Sequence, residues 1–236
     1  MRRILILVLM LLPPLWAEAA SFQVNPVRLT LSADHSTDVL RVTNSSETPT
    51  VVQLQIVAWS QDHGQDIYTP SRKLLATPPI FTVTAGSQQI VRVGLRTQPD
   101  AKMETCYRLF LSEVPPAPTP TFRGVQIALR VGIPIFVEPA THTKPVLKWS
   151  AKRLSSTELQ VSAVNTGTAH AQILKWTLTA SDEKRPLAQK SSNYVLPGSG
   201  HTWVVKLASP LTVNAPLEIT ADTDRGRLHA QLVTGK

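Results

Sequence analysis

Apolar and polar residues alternate in short runs along most of the chain, and turn-forming residues separate the runs. A period of two is typical of β-strands with one buried face. No stretch keeps a helical period of 3.6 residues over three turns. The pattern therefore predicts an all-β protein. The predicted strands are 22–31 interrupted at Pro26, 39–42, 50–59, 80–84, 89–95, 106–111, 147–152, 158–164, 173–180, 192–196, 202–207, 217–220 and 228–233.

The longest alternating run lies between residues 125 and 137. A strand of that length would extend about 40 Å, at about 3.3 Å per residue. A central strand of a sandwich can show the same alternation. Pro134 favours an edge strand, because proline has no N–H to give to a second neighbour. An open apolar edge is an aggregation hazard unless binding is its purpose. The apolar odd positions are Val125, Ile127, Leu129, Val131, Ile133, Ile135 and Val137.

The segment between Glu138 and Pro145 reads EPATHTKP and has no alternation, and a second series of short strands follows it. Polar, proline-containing segments of this kind mark domain boundaries. The boundary predicts a first domain at 20–141 and a second at 142–236. About seven strands in each is the count expected of an immunoglobulin-like sandwich.

The N-terminus has the pattern of a secretory signal peptide. Two arginines follow Met1, the run Ile4–Leu12 is apolar, and Ala17-Glu18-Ala19 offers a small-residue cleavage site. The apolar run is about half of the roughly 20 residues that a membrane-spanning helix needs. We therefore expect residues 1–19 to be a signal peptide and the exported product to be soluble, without membrane insertion.

The net charge and the cysteine content narrow the possible functional classes further. The formal net charge is +8, but the basic residues are scattered singly and no nucleic-acid-binding motif occurs. A basic surface that faces acidic partners or an anionic membrane is the better interpretation. Cys106 is the only cysteine, which excludes an intrachain disulfide. Because it lies in an apolar run, we expect a buried small hydrophobe rather than a nucleophile.

Catalytic signatures are missing from the sequence. The six histidines show no metal-ligand spacing, and neither a G-x-S-x-G motif nor a glycine-rich phosphate loop is present. We expect no enzyme activity, no cofactor and no metal site. An alternative function is a secreted immunoglobulin-like binding module or a structural pilus component, with tryptophans stacked on sugars. Core packing is the favoured use of these tryptophans, since they lie in separate predicted strands. They are Trp59, Trp149, Trp176 and Trp203.

Five short segments, taken together, resemble one known family. They are FQVNPVRLTL near the start, Ala76-Thr77-Pro78-Pro79, Val91-Arg92-Val93, the run Leu111–Pro116 of sequence LSEVPP, and Val125–Leu129 of sequence VQIAL. The match resembles the periplasmic chaperones of the chaperone–usher pathway, the PapD-like proteins. The NPVRLTL segment and Cys106–Leu111 (CYRLFL) are more similar to the archaic branch of that family.

The resemblance implies two immunoglobulin-like domains in an L- or boomerang-shaped arrangement, in a protein of the periplasm. It implies that the chain stabilises pilin subunits by donor-strand complementation and delivers them to an outer-membrane usher. Burying four donor side chains would contribute on the order of 6 to 12 kcal/mol before association costs. Whether the free protein covers its exposed edge by self-association is left open. The donor residues implied are Val125, Ile127, Leu129, Val131 and Ile133.

The family also holds the terminal carboxylate of the subunit with an arginine and a lysine in the interdomain cleft. Arg28 matches the arginine. The lysine position falls near His142, with Lys144 close by. Arg108 is another candidate, because a guanidinium in an apolar strand is costly to bury unless an anion pairs with it. The resemblance further implies interdomain ion pairs among Glu113, Lys144 and Asp224.

Overall fold

The computed structural model describes residues 22–117, 125, 127–180, 186–211 and 216–235. The predicted signal peptide at 1–19 lies outside these residues. The described ranges contain strands and turns but no helix, which confirms the all-β prediction. Accordingly, they hold no helix with the length and apolar character needed to cross a membrane.

The first half of the chain forms two sheets that face each other. One has the strand order β1-β3-β8-β6, and the other β2-β10-β9-β4-β5, with β7 also paired to β4. The strands are β1 (Phe22–Asn25), β2 (Leu29–Leu31), β3 (Thr37–Asn44), β4 (Thr50–Asp62), β5 (Gln65–Pro70), β6 (Leu74–Thr77), β7 (Ile80–Val83), β8 (Gln88–Leu95), β9 (Thr105–Glu113) and β10 (Arg130–Val137).

The core of this first sandwich lies between the two sheets. Alternate residues of each strand point into it, as the period of two predicts. Leu40 and Val93 come from one sheet, and Leu109 and Ile135 come from the other. Each such side chain contributes roughly 1.5 to 3 kcal/mol when it leaves water. Apolar packing therefore holds this sandwich together without a disulfide.

The short link between β1 and β2 moves the chain from one sheet to the other. β1 pairs with β3, whereas β2 pairs in parallel with the end of β10. Pro26 lies in the link and cannot donate to a ladder, so it suits this change of partner. Arg28 is the last residue of the link and precedes the buried Leu29.

The second half of the chain forms a second sandwich with its own core. The strand order is β14-β13-β16-β17-β11-β12-β15. Within this sandwich the rings of Trp149, Trp176 and Trp203 pack 5.3 to 6.0 Å apart between centroids. They are core residues and not a platform for sugars. The strands are β11 (Leu147–Arg153), β12 (Glu158–Asn165), β13 (Ala171–Ala180), β14 (Pro186–Val195), β15 (Gly200–Lys206), β16 (Pro216–Thr223) and β17 (Gly226–Gly235).

The segment between β10 and β11 is fixed to the second sandwich. The carbonyl of Lys144 accepts a hydrogen bond from Thr168 N–H at 3.0 Å. Gly167 makes this approach possible, because a Cβ at that position would lie 2.3 Å from the Lys144 carbonyl oxygen. Buried Asn165 donates to the carbonyls of Ala169 and Val195 at 2.7 and 3.0 Å. These contacts fix the linking segment and the start of the second sandwich to each other.

Candidate functional site: an edge strand and the domain junction

Strand β10 is an edge strand over most of its length. β9 pairs with it on one side from Arg130 to Val137, whereas β2 covers its other side only from Ile135 to Val137. Among the described residues, no strand covers that side between Arg130 and Pro134. Pro134 therefore lies in the uncovered part, directly before the point where β2 begins to pair.

The strand is shorter than the alternation predicts. Residues 125 and 127–129 are not in a strand, although Glu113 N–H still donates to the Leu129 carbonyl at 2.8 Å. Beyond that bond β9 gives way to Pro115 and Pro116, which have no N–H and cannot extend its ladder. Side-chain alternation alone cannot report whether a neighbouring strand is present.

The predicted donor residues divide into three groups. Val125 and Ile127 are 87% and 85% exposed. Leu129 and Val131 are partly buried against the first core. Ile133 is 3% exposed and belongs to that core. Its prediction as a donor residue is corrected, because its side chain already packs in the core of the first sandwich.

Arg108 lies in the middle of β9, on the face opposite the core. Its guanidinium carbon is 3.9 Å from the ring centroid of Trp59 and 5.6 Å from that of Tyr194. Within the described residues Arg108 forms no ion pair with a carboxylate, and its buried Nε has no hydrogen-bond partner there. Aromatic rings hold this guanidinium in place, and no ion pair in the described part of the chain neutralises its charge. It can therefore bind a carboxylate ligand.

Arg28 also reaches the junction between the sandwiches, but it has a carboxylate partner. Its Nη1 donates to Asp224 Oδ2 at 3.0 Å, from the first sandwich to the β16–β17 turn. Burial raises the pKa of Tyr194, and the charges of both Arg28 and Arg108 act to lower it. Both predicted arginines therefore act electrostatically on the same phenol, and Arg108 also contacts its ring.

A buried histidine carries the contact further into the junction. The His170 backbone N–H donates to Glu104 Oε1 at 3.0 Å, and its Nδ1 lies 2.7 Å from the same oxygen. Its Nε2 is 3.6 Å from Asp224 Oδ2, and its ring stacks on Phe136 at 3.4 Å. Glu104 and Phe136 come from the first sandwich, whereas His170 and Asp224 come from the second. Charges thus alternate across the junction from Glu104 to Arg28.

These contacts set the charge states at the junction. Burial would lower the pKa of His170, but its interactions with Asp224 and Glu104 outweigh burial and raise it. Burial would raise the pKa of Asp224, yet His170, the Gln172 N–H and Arg28 together lower it to about 2. Both shifts favour the charged forms, which attract one another.

The remaining predicted ionic residues lie elsewhere. Asp224 does pair across the domains, but with Arg28 and His170 and not with Lys144. Lys144 and His142 are exposed on the segment between β10 and β11. Glu113 lies at the end of β9 opposite Glu104, where its Oε2 accepts from Leu129 N–H at 3.1 Å. The interdomain pairing of Glu113 with Lys144 stays a prediction; Glu113 lies at the end of β9 far from Glu104, which contacts His170 of the second sandwich.

Sequence reasoning did not find Glu104, His170, Gln61 or Tyr194. They lie far apart in sequence, and none belongs to a motif. Arg108 was found because a charge interrupts an apolar run. Cys106 is buried and free, as expected, and burial raises the pKa of its thiol. Among the described residues no three His, Cys, Asp or Glu side chains gather as metal ligands would.

Comparison with known proteins identifies the family. The family model for the pili and flagellar-assembly chaperone, PapD N-terminal domain, matches residues 21–143. That is more than half of the chain. The chain belongs to the PapD-type pilus-assembly chaperones. The matched region contains β10, Arg28, Arg108 and Glu104. It therefore includes most of the first-sandwich residues that lie at the domain junction.

Relatives of this chaperone agree with the assignment. It is 27% identical over 168 residues to the chaperone protein CssC of Escherichia coli, across 63% of this chain and 68% of that protein. Among solved structures, a chain of the CsuC–CsuE chaperone–tip adhesion subunit complex, from the archaic chaperone–usher Csu pili of Acinetobacter baumannii, has a TM-score of 0.68 at 20% identity. That match covers 92% of this chain and 100% of the other.

A chain from the complex of SafA pilin with the SafB chaperone of Salmonella enterica has a TM-score of 0.60 at 19% identity, covering 91% of this chain and 97% of that one. At these identities the structural matches concern the fold. The family match and the shared fold together confirm the two immunoglobulin-like sandwiches.

Proposed function

We propose that this pilus-assembly chaperone acts in the periplasm, binds pilin subunits by donor-strand complementation and delivers them to an outer-membrane usher. Residues 1–19 serve as the signal peptide, residues 20–141 as the strand-donating domain and residues 142–236 as the second domain. The relatives support this proposal, since CsuC–CsuE and SafA–SafB are complexes of a chaperone with a subunit.

The exposed apolar side chains ahead of β10 are the observation that carries the proposal. Val125 and Ile127 are almost fully exposed, and they precede the uncovered edge at Arg130–Pro134. An incomplete sandwich that paired with this edge would gain main-chain hydrogen bonds, and its open core would receive these side chains. Burial of the two would contribute about 3 to 6 kcal/mol before association costs.

The carboxylate anchor belongs at the domain junction, with Arg108 in the leading role. Arg28 already pairs with Asp224, so a subunit carboxylate would have to share it. Arg108 has no carboxylate partner among the described residues and faces a cavity of about 450 Å³. Lys144 and His142 are exposed on the segment between the sandwiches and do not line this cavity, so they have no leading part in the proposed anchor.

Capture of subunits tests the proposal. The chaperone would be co-expressed with the pilin subunits encoded beside it, and the soluble one-to-one complex would be quantified. Val125→Asp with Ile127→Asp should reduce capture at least about a hundredfold, because two carboxylates would enter an apolar core. Both positions are exposed, so the free protein should keep its thermal midpoint.

A matched control uses exposed apolar residues of the second sandwich. Leu154→Asp with Val204→Asp adds the same charge at positions that are 47% and 53% exposed, and it should leave capture unchanged. Capture that survives the first pair of substitutions would rule out donation through this segment. Equal loss in both pairs would show that added charge, and not the donor segment, is responsible.

A further inference from the structure

The Arg108 guanidinium rests in a slot that residues of both sandwiches build. Trp59, at 3.9 Å, belongs to β4 of the first sandwich. Tyr194, at 5.6 Å, belongs to β14 of the second. The two rings meet edge to face with centroids 5.3 Å apart. The slot therefore exists only while the two sandwiches are in contact.

Gln61 fixes the Tyr194 side of this slot. Its Nε2 donates to the Tyr194 carbonyl at 3.0 Å, and its Oε1 accepts from Leu196 N–H at 3.0 Å. Its backbone carbonyl accepts from Ser199 Oγ at 3.4 Å. One side chain of the first sandwich thus holds a stretch of the second in a set position, with both ends of the amide used.

The carboxylate already present near the slot is engaged by other groups. Asp66 Oδ1 accepts from Gln61 Nε2 at 3.0 Å, and Asp66 Oδ2 accepts from the Tyr68 hydroxyl at 3.0 Å. Asp66 and Arg108 form no ion pair. Arg108 Nη1 donates a long hydrogen bond of 3.4 Å to the Gly132 carbonyl. Arg108 also interacts with the Tyr68 hydroxyl: burial raises the pKa of that group, and Arg108 acts to lower it. The aromatic rings, more than polar partners, hold the guanidinium in place.

We propose that Tyr194, held by Gln61, is a positioning residue that presents Arg108 to a carboxylate in the junction cavity. The proposal rests on the anchoring role given to Arg108 above and adds that the second sandwich supplies part of the anchor. The two adjoining rings beside the guanidinium limit the rotamers of the arginine, so less side-chain entropy is lost when an anion binds. Asp66 also lines this cavity, but the rings that contact the guanidinium are neutral and Asp66 forms no ion pair with it, so its positive charge remains able to attract a carboxylate.

Side-chain NMR tests the inference directly. The resonance of Arg108 Nε–H would be followed while the purified protein is titrated with N-acetylphenylalanine, with its uncharged amide as a matched probe. The acid should shift the resonance and the amide should not. Arg108→Gln should abolish specific binding of the acid at the junction.

Variants of the slot separate positioning from folding. Tyr194→Leu keeps an apolar side chain and should weaken binding of the acid about tenfold, because the cation–π contact is lost. Tyr194→Phe keeps the ring and should bind as the wild type does. Gln61→Ala should weaken binding about threefold, while Gln53→Ala, on the same strand but away from the junction, should have no effect.

Two results would overturn the inference: an Arg108 resonance that does not respond to the acid, or a folded Tyr194→Leu variant with wild-type affinity. Subunit capture by the same variants keeps this failure apart from failure of the proposed function. If Arg108 binds the acid as expected but no subunit is captured, the function is wrong and the slot stands. If subunits are captured equally well with Tyr194→Leu, the slot alone is wrong.

Discussion

At the residue scale, a single histidine links the stability of the junction to pH. His170 is 5% exposed and lies between the carboxylates of Glu104 and Asp224. Its pKa is raised in the folded protein, so its protonated form stabilises the fold. That contribution is complete below the unfolded value of about 6.5 and is lost as pH rises through the folded value. The pKa of Asp224 is lowered in the folded protein, so its charged form stabilises the fold. That contribution is lost as pH falls from about 4 towards 2.

Substitution of His170 by glutamine should remove the neutral-range part of this dependence. The wild-type free energy of unfolding should decrease as pH rises above about 6.5, whereas His170→Gln should give a flat profile there, since glutamine donates a hydrogen bond but does not titrate. The wild type should also lose stability below about pH 4 through Asp224, and His170→Gln should lose less there, because His170 is the largest of the interactions that lower the pKa of Asp224. Urea unfolding between about pH 2 and 9 measures both effects.

The exposed His63 provides the control. His63→Gln should follow the wild-type curve, because its side chain is 92% exposed. A His170→Gln profile parallel to the wild-type one would show that the junction does not titrate through this residue.

At the element scale, a single alternating pattern runs through β10 and the residues before it, but the two halves of this segment have different surroundings. The half that pairs with β9 sends its odd residues into the first core. The half without a strand partner leaves them in solvent. The pattern of hydrophobic residues is continuous across both, so burial and exposure cannot be told apart from it. The prolines at 115 and 116 are the local signal that marks the change.

Alanine substitutions in the buried half and in the exposed half of this segment should affect different properties. Ile133→Ala should lower the free energy of unfolding by about 2 to 4 kcal/mol, because it leaves a cavity in the core. Ile127→Ala should leave stability within about 0.5 kcal/mol but weaken subunit capture. Chemical denaturation and co-purification, applied to both variants, measure this pair of effects. Equal stability losses would mean that residue 127 packs as residue 133 does.

Several strands could be located from the alternation, and others could not. β9 and β12 appear where the pattern places them, to within two residues. β5 was missed because all six of its residues are exposed, so no buried face produces a period of two. β14 begins at Pro186, six residues before the predicted start. Leu187 and Ala188 at its start are apolar, but the polar residues 189–192 that follow hide the alternation, and the strand is paired through main-chain bonds to β13.

At the scale of the whole molecule, the sequence predicts two sandwiches but not how they meet. The contacts that join them link residues more than 60 positions apart: Glu104 to His170, Gln61 to Tyr194 and Arg28 to Asp224. Each half of such a pair is an ordinary polar residue in its own strand or turn. Arg108 was the exception, because a guanidinium among apolar residues requires a partner, which proved to be an aromatic slot.

The two sandwiches place an open edge and an uncompensated cation on the same side of one strand pair. β9 carries Arg108, and β10 beside it carries the free edge and, ahead of it, Val125 and Ile127. A bound strand whose terminal carboxylate lay at Arg108, which pairs with Pro134, would run parallel to β10, from its start towards Pro134. We expect residues 127–134 to gain a strand neighbour when a subunit binds.

Hydrogen–deuterium exchange of this segment, in the free chaperone and in its complex with a pilin subunit, tests that claim most directly. New main-chain hydrogen bonds slow amide exchange. Amides of residues 127–133 should become protected by at least about a hundredfold in the complex, while those of β15 on the second sandwich keep their rates. Unchanged exchange at 127–133 in a complex that is nevertheless bound would contradict strand donation by this edge.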